Sequence, residues 1–288
     1  MAETGYAHAK INLSLDIVSR MPDGYHDMKM VMQTVSLRDV VTIICIPGEG
    51  TAVDSGLSYL PGDEKNIAAE AAAVFYDHTG VTGYHTWIGI KKEIPVCAGM
   101  GGGSADGACV LRMLDGMHDT KLGFEALEKI GAAVGSDVPF CIRGGTALAE
   151  GRGETLTRLP PIPQCHIVIC KPPFTCPTPE AFARVRCGKI RARPDTAGMI
   201  DAIGEGDLRG VARRVYNVFE GFMDFGKREV ADIKNTLSES GALGTSMTGS
   251  GPAVYGLFGD KGDALKAYER LNTLYAECYL TETVNLEW

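Results

Sequence analysis

The feature that most constrains this chain is a glycine-rich segment, in which four glycines occupy the five positions before Ser104 (AGMGGGSAD, residues 98–106). It follows an alternating stretch that predicts a strand over 85–92 and precedes the apolar helical pattern CVLRMLDGM. Glycine allows close backbone approach and dihedral angles that other residues avoid. Because N–H groups and the dipole at a helix start attract anions, the segment predicts a phosphate site with Ser104 at the start of the helix. The alternative is a tight strand-to-helix turn without a ligand.

Two familiar phosphate-binding motifs do not fit this segment. Ser104 and Asp106 stand where the third glycine of a GxGxxG motif would fall. Residues 221–228 (GFMDFGKR) approach the P-loop spacing but end in arginine, where that motif requires serine or threonine. The predicted phosphate loop is therefore of another kind.

Composition excludes several classes of protein. No apolar run reaches the length of about 18 residues that a membrane helix needs, and the N-terminus lacks a signal-peptide pattern. A net charge of −8 argues against a nucleic-acid-binding face, although it does not exclude a local anion site. The nine cysteines show no CxxC spacing, which favours reduced thiols and a cytoplasmic location. Oligomeric state is left open.

The order of predicted elements favours an α+β fold over a regular doubly wound sheet, because adjacent strands are mixed with helices. Strands are predicted over 10–18, over two stretches within 30–46 separated near Arg38-Asp39, and over 140–142, 146–150 and 166–170; helices are predicted over 66–78, with Asn66 as N-cap, and over 124–134. Three prolines fall within 157–164, which predicts a linker between a domain of residues 1–158 and one of residues 159–288.

Four further segments carry side chains or turns suited to chemistry, and each has a plainer interpretation. Lys10 begins an alternating strand and would ordinarily be solvated, and Asp137 lies in a Gly-Ser-Asp turn, where aspartate commonly bonds its own backbone. Tyr25-His26 could bind a base or could simply form a surface turn. The turn at 249–252 could contact a ligand or only reverse the chain. Spacing alone does not bring these segments together.

Taken together, the segments resemble the GHMP kinase superfamily. Its three motifs match in order and spacing at residues 9–13 (AKINL), 95–105 and 247–252 (MTGSGP). Further matches resemble the superfamily members that act in the non-mevalonate isoprenoid pathway. Their small-molecule substrate carries a cytidine diphosphate group. These further matches are DGYH at 23–26, GSDVP at 135–139, AEGRGE at 149–154 and PTP at 177–179 with Phe182.

The resemblance implies two α+β domains with the active site in the cleft between them, and it leaves open whether the final strand packs back on the first domain. It implies that ATP, accompanied by Mg²⁺, phosphorylates the C2 hydroxyl of the methylerythritol part of the substrate. Asp137 would be the general base, and Lys10 would orient it and offset charge on the transferring group. The implied ATP-binding residues are Asn66, Pro95, Gly99, Met100, Gly101, Gly102, Gly103 and Ser104. The implied substrate-binding residues are Asn12, Tyr25, His26, Pro179, Phe182, Gly249 and Ser250.

The chain departs from the family pattern at two positions of the loop. Met100 replaces a common leucine with similar size, whereas Ala105 replaces a common serine and leaves Ser104 as the only hydroxyl there. No protein ligand for magnesium is identified.

Three other functions stay open at this stage. They are another kinase of the superfamily, such as a homoserine or mevalonate kinase, a nucleotide-binding regulator without activity, and an α+β domain whose glycines only form turns. The cytidine-site features argue against the first of these. The presence of both Lys10 and Asp137 argues against the second.

Overall fold

A computed structural model describes residues 1–285 of the chain and shows two sheets with helices packed on them. The first sheet is built on a long antiparallel hairpin, β1 (Ala2–Arg20) and β2 (His26–Pro47). Its remaining strands are β3 (Thr51–Asp54), β4 (Tyr84–Lys91), β5 (Thr146–Gly151), β6 (Thr155–Arg158) and β8 (Tyr216–Asn217). β8 comes from the second half of the chain and pairs in parallel with β1. Two distant parts of the sequence therefore share one sheet.

The helices that accompany this sheet come from the first half of the chain. They are α1 (Ile67–Thr79), α2 (Gly102–Met117), α3 (Gly123–Val134) and α4 (Val138–Arg143). The Asn66 side chain accepts from the Ala68 N–H and caps α1, as predicted. α1 and α2 pack on each other, and α2 lies against the central hairpin. Burial of their alanine and leucine side chains against the sheet forms the larger hydrophobic core.

The second sheet has the order β11-β7-β10-β9, with all neighbours antiparallel. Its strands are β7 (His166–Lys171), β9 (Gly244–Met247), β10 (Val254–Phe258) and β11 (Glu277–Glu282). Helices α8 (Lys227–Glu239) and α9 (Lys261–Asn272) pack on it around a smaller core. Between β7 and β8 lie the shorter helices α5 (Thr178–Arg184), α6 (Thr196–Gly204) and α7 (Leu208–Ala212). The α+β class is confirmed, while the boundary at 158/159 stays a prediction.

The prediction of two strands within 30–46 is wrong, because β2 runs unbroken through Arg38 and Asp39. Its first part pairs with β5 and its second part with β4, so one long strand carries two different neighbours. Asp39 is fully buried, and its carboxylate accepts from the backbone N–H groups of Glu93 and Ile94. Asp39, half of a charged pair that would ordinarily mark a turn, is thus held inside the sheet by partners distant in sequence, while Arg38 stays exposed.

The short strand predicted over 140–142 is also wrong, since these residues lie in the buried helix α4. A short apolar run fits a buried strand and a buried helix equally well, and Pro139 is suited to the first turn of a helix. The start of α2 differs as well. The helix begins at Gly102, with Gly101 in the left-handed region before it, so Ser104 lies inside the first turn rather than at the cap.

The last residues of β11 approach the first sheet. The hydroxyls of Ser36 and Thr281 lie 2.7 Å apart, and Val35 forms an isolated bridge with Thr283. The alternating tail over 278–286 also predicts strands, and its last residue, Leu286, lies outside the described residues. Within residues 1–285, the helices are too short or too polar for any of them to cross a membrane.

Candidate active site

A cavity of about 1380 Å³ brings together every residue that the sequence singled out for catalysis or binding. The lining includes Lys10, Asn12, Tyr25, His26, Asn66, Pro95, Gly99, Met100, Gly101, Gly102, Gly103, Ser104, Asp137, Pro179, Phe182, Gly249 and Ser250. These residues come from the first hairpin, the residue before α1, the glycine loop, the start of α4, α5 and the turn between β9 and β10. The fold therefore assembles one site from segments that spacing alone could not connect.

The centre of the cavity holds an ion pair between Lys10 and Asp137. Lys10 Nζ lies 3.3 Å from Asp137 Oδ2, and the Lys10 side chain is only 4% exposed, whereas that of Asp137 is 28% exposed. The backbone N–H of Lys10 donates to the carbonyl of Met100 in the glycine loop. A buried ammonium and an accessible carboxylate thus face the same space, next to the loop predicted to bind phosphate.

Asn12, two residues along the same face of β1, connects this pair to the rest of the site. Its Oδ1 accepts from Lys10 Nζ at 2.8 Å and from the Gly249 N–H at 3.0 Å. Its backbone N–H donates to Thr248 Oγ1, and the Thr248 hydroxyl lies 3.1 Å from the carbonyl of Gly99. Asn12 is fully buried, so these polar contacts are shielded from water. One side chain therefore joins β1, the β9–β10 turn and the glycine loop.

The glycine loop supplies backbone geometry suited to an anion. Gly99 and Gly101 have positive φ values of 75° and 67°, which non-glycine residues rarely adopt. The first N–H groups of a helix have no intrahelical partner, so those at the start of α2 carry partial positive charge beside the cavity. Together with Lys10, which packs against Gly101, they form a cationic region in an acidic protein.

A second region of the cavity is aromatic. The rings of His26 and Phe182 stack with centroids 5.1 Å apart and an interplanar angle of 27°. Tyr25 is 56% exposed, and the Arg152 guanidinium lies 4.0 Å above its ring while pairing with Asp23 at 2.5 Å. Burial, followed by the nearby Arg20 charge, lowers the pKa of His26 below its usual 6.5, so the imidazole is mainly uncharged at pH 7. The region offers flat faces and an imidazole that both donates and accepts, which suits a heteroaromatic base.

The remaining predicted residues border these two regions. Asn66 lines the cavity, but its side chain is already engaged with the Ala68 N–H and the Pro61 carbonyl. The Thr178 hydroxyl at the start of α5 lies 3.0 Å from Ser250 Oγ, which links the helix carrying Phe182 to the β9–β10 turn.

Sequence reasoning missed a buried charge cluster behind the glycine loop. Lys92 Nζ lies 2.5 Å from Asp39 Oδ2 and 2.7 Å from Asp106 Oδ2, and all three side chains are buried. Burial raises the pKa of Asp106 to about 8, against the opposing influence of the Lys92 ammonium. The cluster ties β2 and the residues after β4 to the first turns of α2. Its only sequence signal is charged residues within apolar runs, which does not reveal that the three meet.

The comparisons with known proteins agree with this geometry. The family described as "GHMP kinases N terminal domain" matches residues 66–145, and "GHMP kinases C terminal" matches residues 199–277. A Caldicellulosiruptor bescii protein named 4-diphosphocytidyl-2-C-methyl-D-erythritol kinase is 42% identical over 277 residues, covering 96% of each chain. A Clostridium botulinum protein of the same name is 40% identical and covers 96% of this chain and 99% of its own.

Solved structures show the same relationship. A crystal structure of 4-(cytidine 5'-diphospho)-2C-methyl-D-erythritol kinase superposes with a TM-score of 0.81 at 27% identity, over 98% of this chain and 99% of that one. Homoserine kinase from Cytophaga hutchinsonii superposes with a TM-score of 0.76 at 17% identity, over 99% and 95% of the two chains. The second likeness concerns the fold alone.

Substitution of Gly99 by alanine tests whether the glycine loop needs its close approach to the β9–β10 turn. A Cβ at this position would overlap the Thr248 carbonyl oxygen and lie 3.0 Å from Gly251 N, on a backbone with φ +75°. We expect Gly99→Ala to lower the free energy of unfolding by about 1–3 kcal/mol and to weaken ATP binding at least tenfold.

Gly116→Ala is the matched control, because nothing lies within 4 Å of a Cβ at this helical position. It should retain wild-type ATP binding and unfold at the same or a slightly higher denaturant concentration. Urea unfolding and titration calorimetry give the two readouts. Wild-type stability and ATP affinity in Gly99→Ala would show that the loop and turn are not held in contact.

Proposed function

The chain belongs to the GHMP kinases and, within them, to the 4-diphosphocytidyl-2-C-methyl-D-erythritol kinases, and from this premise we propose how its cleft carries out the reaction. ATP donates its γ-phosphoryl group to the C2 hydroxyl of the methylerythritol part of the substrate, which yields the 2-phosphate and ADP in the non-mevalonate route to isoprenoid precursors. The observation that carries the proposal is the Lys10–Asp137 pair, which lies in one cavity with the glycine loop and the His26–Phe182 stack.

Asp137 acts as the general base in this proposal. Phosphoryl transfer needs little covalent chemistry from the protein and depends on positioning, charge stabilisation and a group that accepts the hydroxyl proton. The Asp137 carboxylate is accessible from the cavity, and its partner Lys10 holds one of its oxygens in a fixed direction. As the new P–O bond forms, the hydroxyl proton passes to Asp137, and the bond between the γ-phosphorus and the bridging oxygen of ADP breaks.

Lys10 stabilises the charge that develops on the transferring group. Its ammonium is buried, so its field acts with little screening by water. Asn12 Oδ1 accepts one of its protons and leaves the others for Asp137 and for phosphoryl oxygens. The same Asn12 contributes to holding the acceptor part of the substrate, together with Gly249 and Ser250.

The donor nucleotide lies along the glycine loop in this proposal. Gly99, Met100, Gly101, Gly102, Gly103 and Ser104 wrap its phosphates, while Asn66 and Pro95 border the adenosine. The N–H groups at the start of α2 bind the phosphate oxygens, as they do for anions at helix N-termini generally.

Magnesium enters with ATP in this proposal. No group of three or more potential ligand side chains (His, Cys, Asp or Glu) is arranged to hold a metal within residues 1–285. Mg²⁺ in kinase sites keeps several waters and is bound through substrate phosphates with one or two protein oxygens. The Ser104 hydroxyl lines the cavity within the glycine loop and would be one such oxygen. The ion would neutralise phosphate charge.

The acceptor's cytosine occupies the aromatic region. An uncharged His26 can donate to one atom on the edge of the cytosine and accept from the exocyclic amino group. Phe182, Pro179 and Tyr25 cover the faces of the cytosine ring. This region favours a substrate with a base over homoserine or mevalonate, which carry no ring to fill it. Another GHMP kinase activity is therefore the weaker alternative.

Two broader features accompany the proposal. Residues 1–158 and 159–288 form the two domains that flank the cleft. All nine cysteines are free thiols, which fits a reducing, cytoplasmic setting.

The substrate assignment is tested by a coupled assay of ADP release. We expect turnover with 4-diphosphocytidyl-2-C-methyl-D-erythritol at least about a hundredfold above that with homoserine or mevalonate, at equal concentration and saturating Mg-ATP. The physical reason is that only the first substrate fills the aromatic region. Comparable turnover of an acceptor without cytidine would contradict the assignment.

The role of Asp137 is tested by Asp137→Asn, which keeps the shape of the side chain and removes its basicity. We expect kcat to fall about 10²–10⁴-fold, the usual value of general-base catalysis, with the KM for ATP changed less than threefold. Asp119→Asn is the matched control, since that carboxylate is 78% exposed and does not line the cavity. Circular dichroism checks the fold, and a kcat within threefold of wild type would remove Asp137 as the base.

A further inference from the structure

Asn217 is a buried residue, 2% exposed, that neither the motifs nor the mechanism above account for. It lies on β8, the two-residue strand that crosses from the second half of the chain, and it pairs with Leu15 of β1. Its Nδ2 donates two hydrogen bonds of 2.8 Å, to the carbonyls of Met247 and Gly249. Its Oδ1 accepts from the Phe219 N–H at 2.9 Å. Both the nitrogen and the oxygen of the carboxamide are thus used.

The first two bonds hold the β9–β10 turn at the centre of the site. The Gly249 carbonyl is bound by Asn217, and the Gly249 N–H is bound by Asn12 Oδ1. Asn12 also accepts from the catalytic Lys10. The backbone of one glycine is therefore fixed from two sides, and its position is connected to the ammonium through a single side chain.

Glu220 strengthens the same attachment from the next turn of chain. Its Oε1 accepts from the Met247 N–H at 2.9 Å and from the Ser246 hydroxyl at 3.1 Å. Its Oε2 accepts from Lys234. Two side chains of the segment 217–220 thus hydrogen-bond residues 246–249. Of these two, Asn217 binds Gly249, which lines the cavity.

The third bond of Asn217 leads to the aromatic region. It fixes the backbone of Phe219, whose ring meets Phe182 edge-on with centroids 5.0 Å apart. Phe182 in turn stacks on His26. The stacked rings of His26 and Phe182 form what we call the base-binding wall. The Asn217 carboxamide therefore connects the turn beside Lys10 to Phe219, which supports this wall.

These two regions must keep a set separation for the reaction. The thioether of Met30 accepts from Asn12 Nδ2, and Met30 stands four positions after His26 on the extended strand β2. At about 3.3 Å per residue, the backbone positions of His26 and Met30 lie about 13 Å apart along β2. The hairpin sets this length on one side of the cleft. A second connection between the two regions runs through Asn217.

We propose that Asn217 is a positioning residue that fixes the base-binding wall relative to the β9–β10 turn, so that a substrate anchored by its base presents its hydroxyl to Asp137. The proposal rests on the function proposed above. It predicts that Asn217 acts on kcat for the cytidine-bearing substrate, in concert with Phe182, and not on ATP binding.

The test is a double-mutant cycle of Asn217→Asp with Phe182→Leu. The first substitution keeps an acceptor for the Phe219 N–H and replaces the donor to both carbonyls by an oxygen. We expect Asn217→Asp to lower kcat at least about tenfold, with the KM for ATP changed less than threefold. Phe182→Leu lowers kcat by some factor in the wild-type enzyme. We expect that factor to be at least about threefold smaller in the Asn217→Asp background, because the base-binding wall is already displaced there.

Asn235→Asp is the matched control, since Asn235 is exposed on α8 and lies outside the cavity. It should leave kcat and the Phe182→Leu effect unchanged. If Asn217→Asp unfolds at the assay temperature, Asn217→Ser, which can still donate one bond, replaces it in the cycle.

The outcomes separate this inference from the function itself. Two results would overturn the role of Asn217 and leave the proposed function standing. They are wild-type turnover of the cytidine substrate by Asn217→Asp, and a double variant whose loss of kcat equals the product of the two single losses to within about twofold. An Asn217 variant that raises the KM for ATP as strongly as it lowers kcat would also overturn it, because the effect would then be general loosening. Absence of turnover by the wild-type enzyme would overturn both proposals.

Discussion

The site depends on the hydrogen bonds of one buried carboxamide oxygen, Oδ1 of Asn12. This atom accepts from the Lys10 ammonium and from the Gly249 N–H, which belong to segments of different sheets. In a dry environment, an unpaired ammonium or N–H would cost far more than it does in water, so the three groups hold one another firmly. The ion pair with Asp137, the glycine loop and the β9–β10 turn all adjoin that contact.

Glycine has a specific purpose in this arrangement. Gly99 and Gly249 meet so closely that a Cβ on Gly249 would lie 2.5 Å from the Gly99 carbonyl oxygen. The contact brings two backbone segments together where side chains would have kept them apart. Backbone N–H groups and a single buried lysine also supply positive potential locally, so a chain with a net charge of −8 can still hold a triphosphate.

Much of this could be predicted from the sequence where the signal is local or where a motif carries it. The glycine loop, Asn66 and at least two residues of each of the three motifs line one cavity, while their roles in binding and catalysis stay predictions. The helix at 138–143 could not be distinguished from a strand, because a short apolar run has no decisive period. The Asp39–Lys92–Asp106 cluster and the bonds of Asn217 were missed for another reason. Their partners are distant in sequence, and their geometry exists only once both sheets are formed.

The proposed arrangement of the two substrates is tested most directly by a crystal structure of the enzyme with a non-hydrolysable ATP analogue and 4-diphosphocytidyl-2-C-methyl-D-erythritol. The account predicts the C2 hydroxyl oxygen within about 3.2 Å of the Asp137 carboxylate, the distance a general base requires. It also predicts the γ-phosphate between Lys10 Nζ and the N-terminal turn of α2, with the cytosine against His26. A hydroxyl out of reach of Asp137, or phosphates bound away from Gly101 to Ser104, would contradict it.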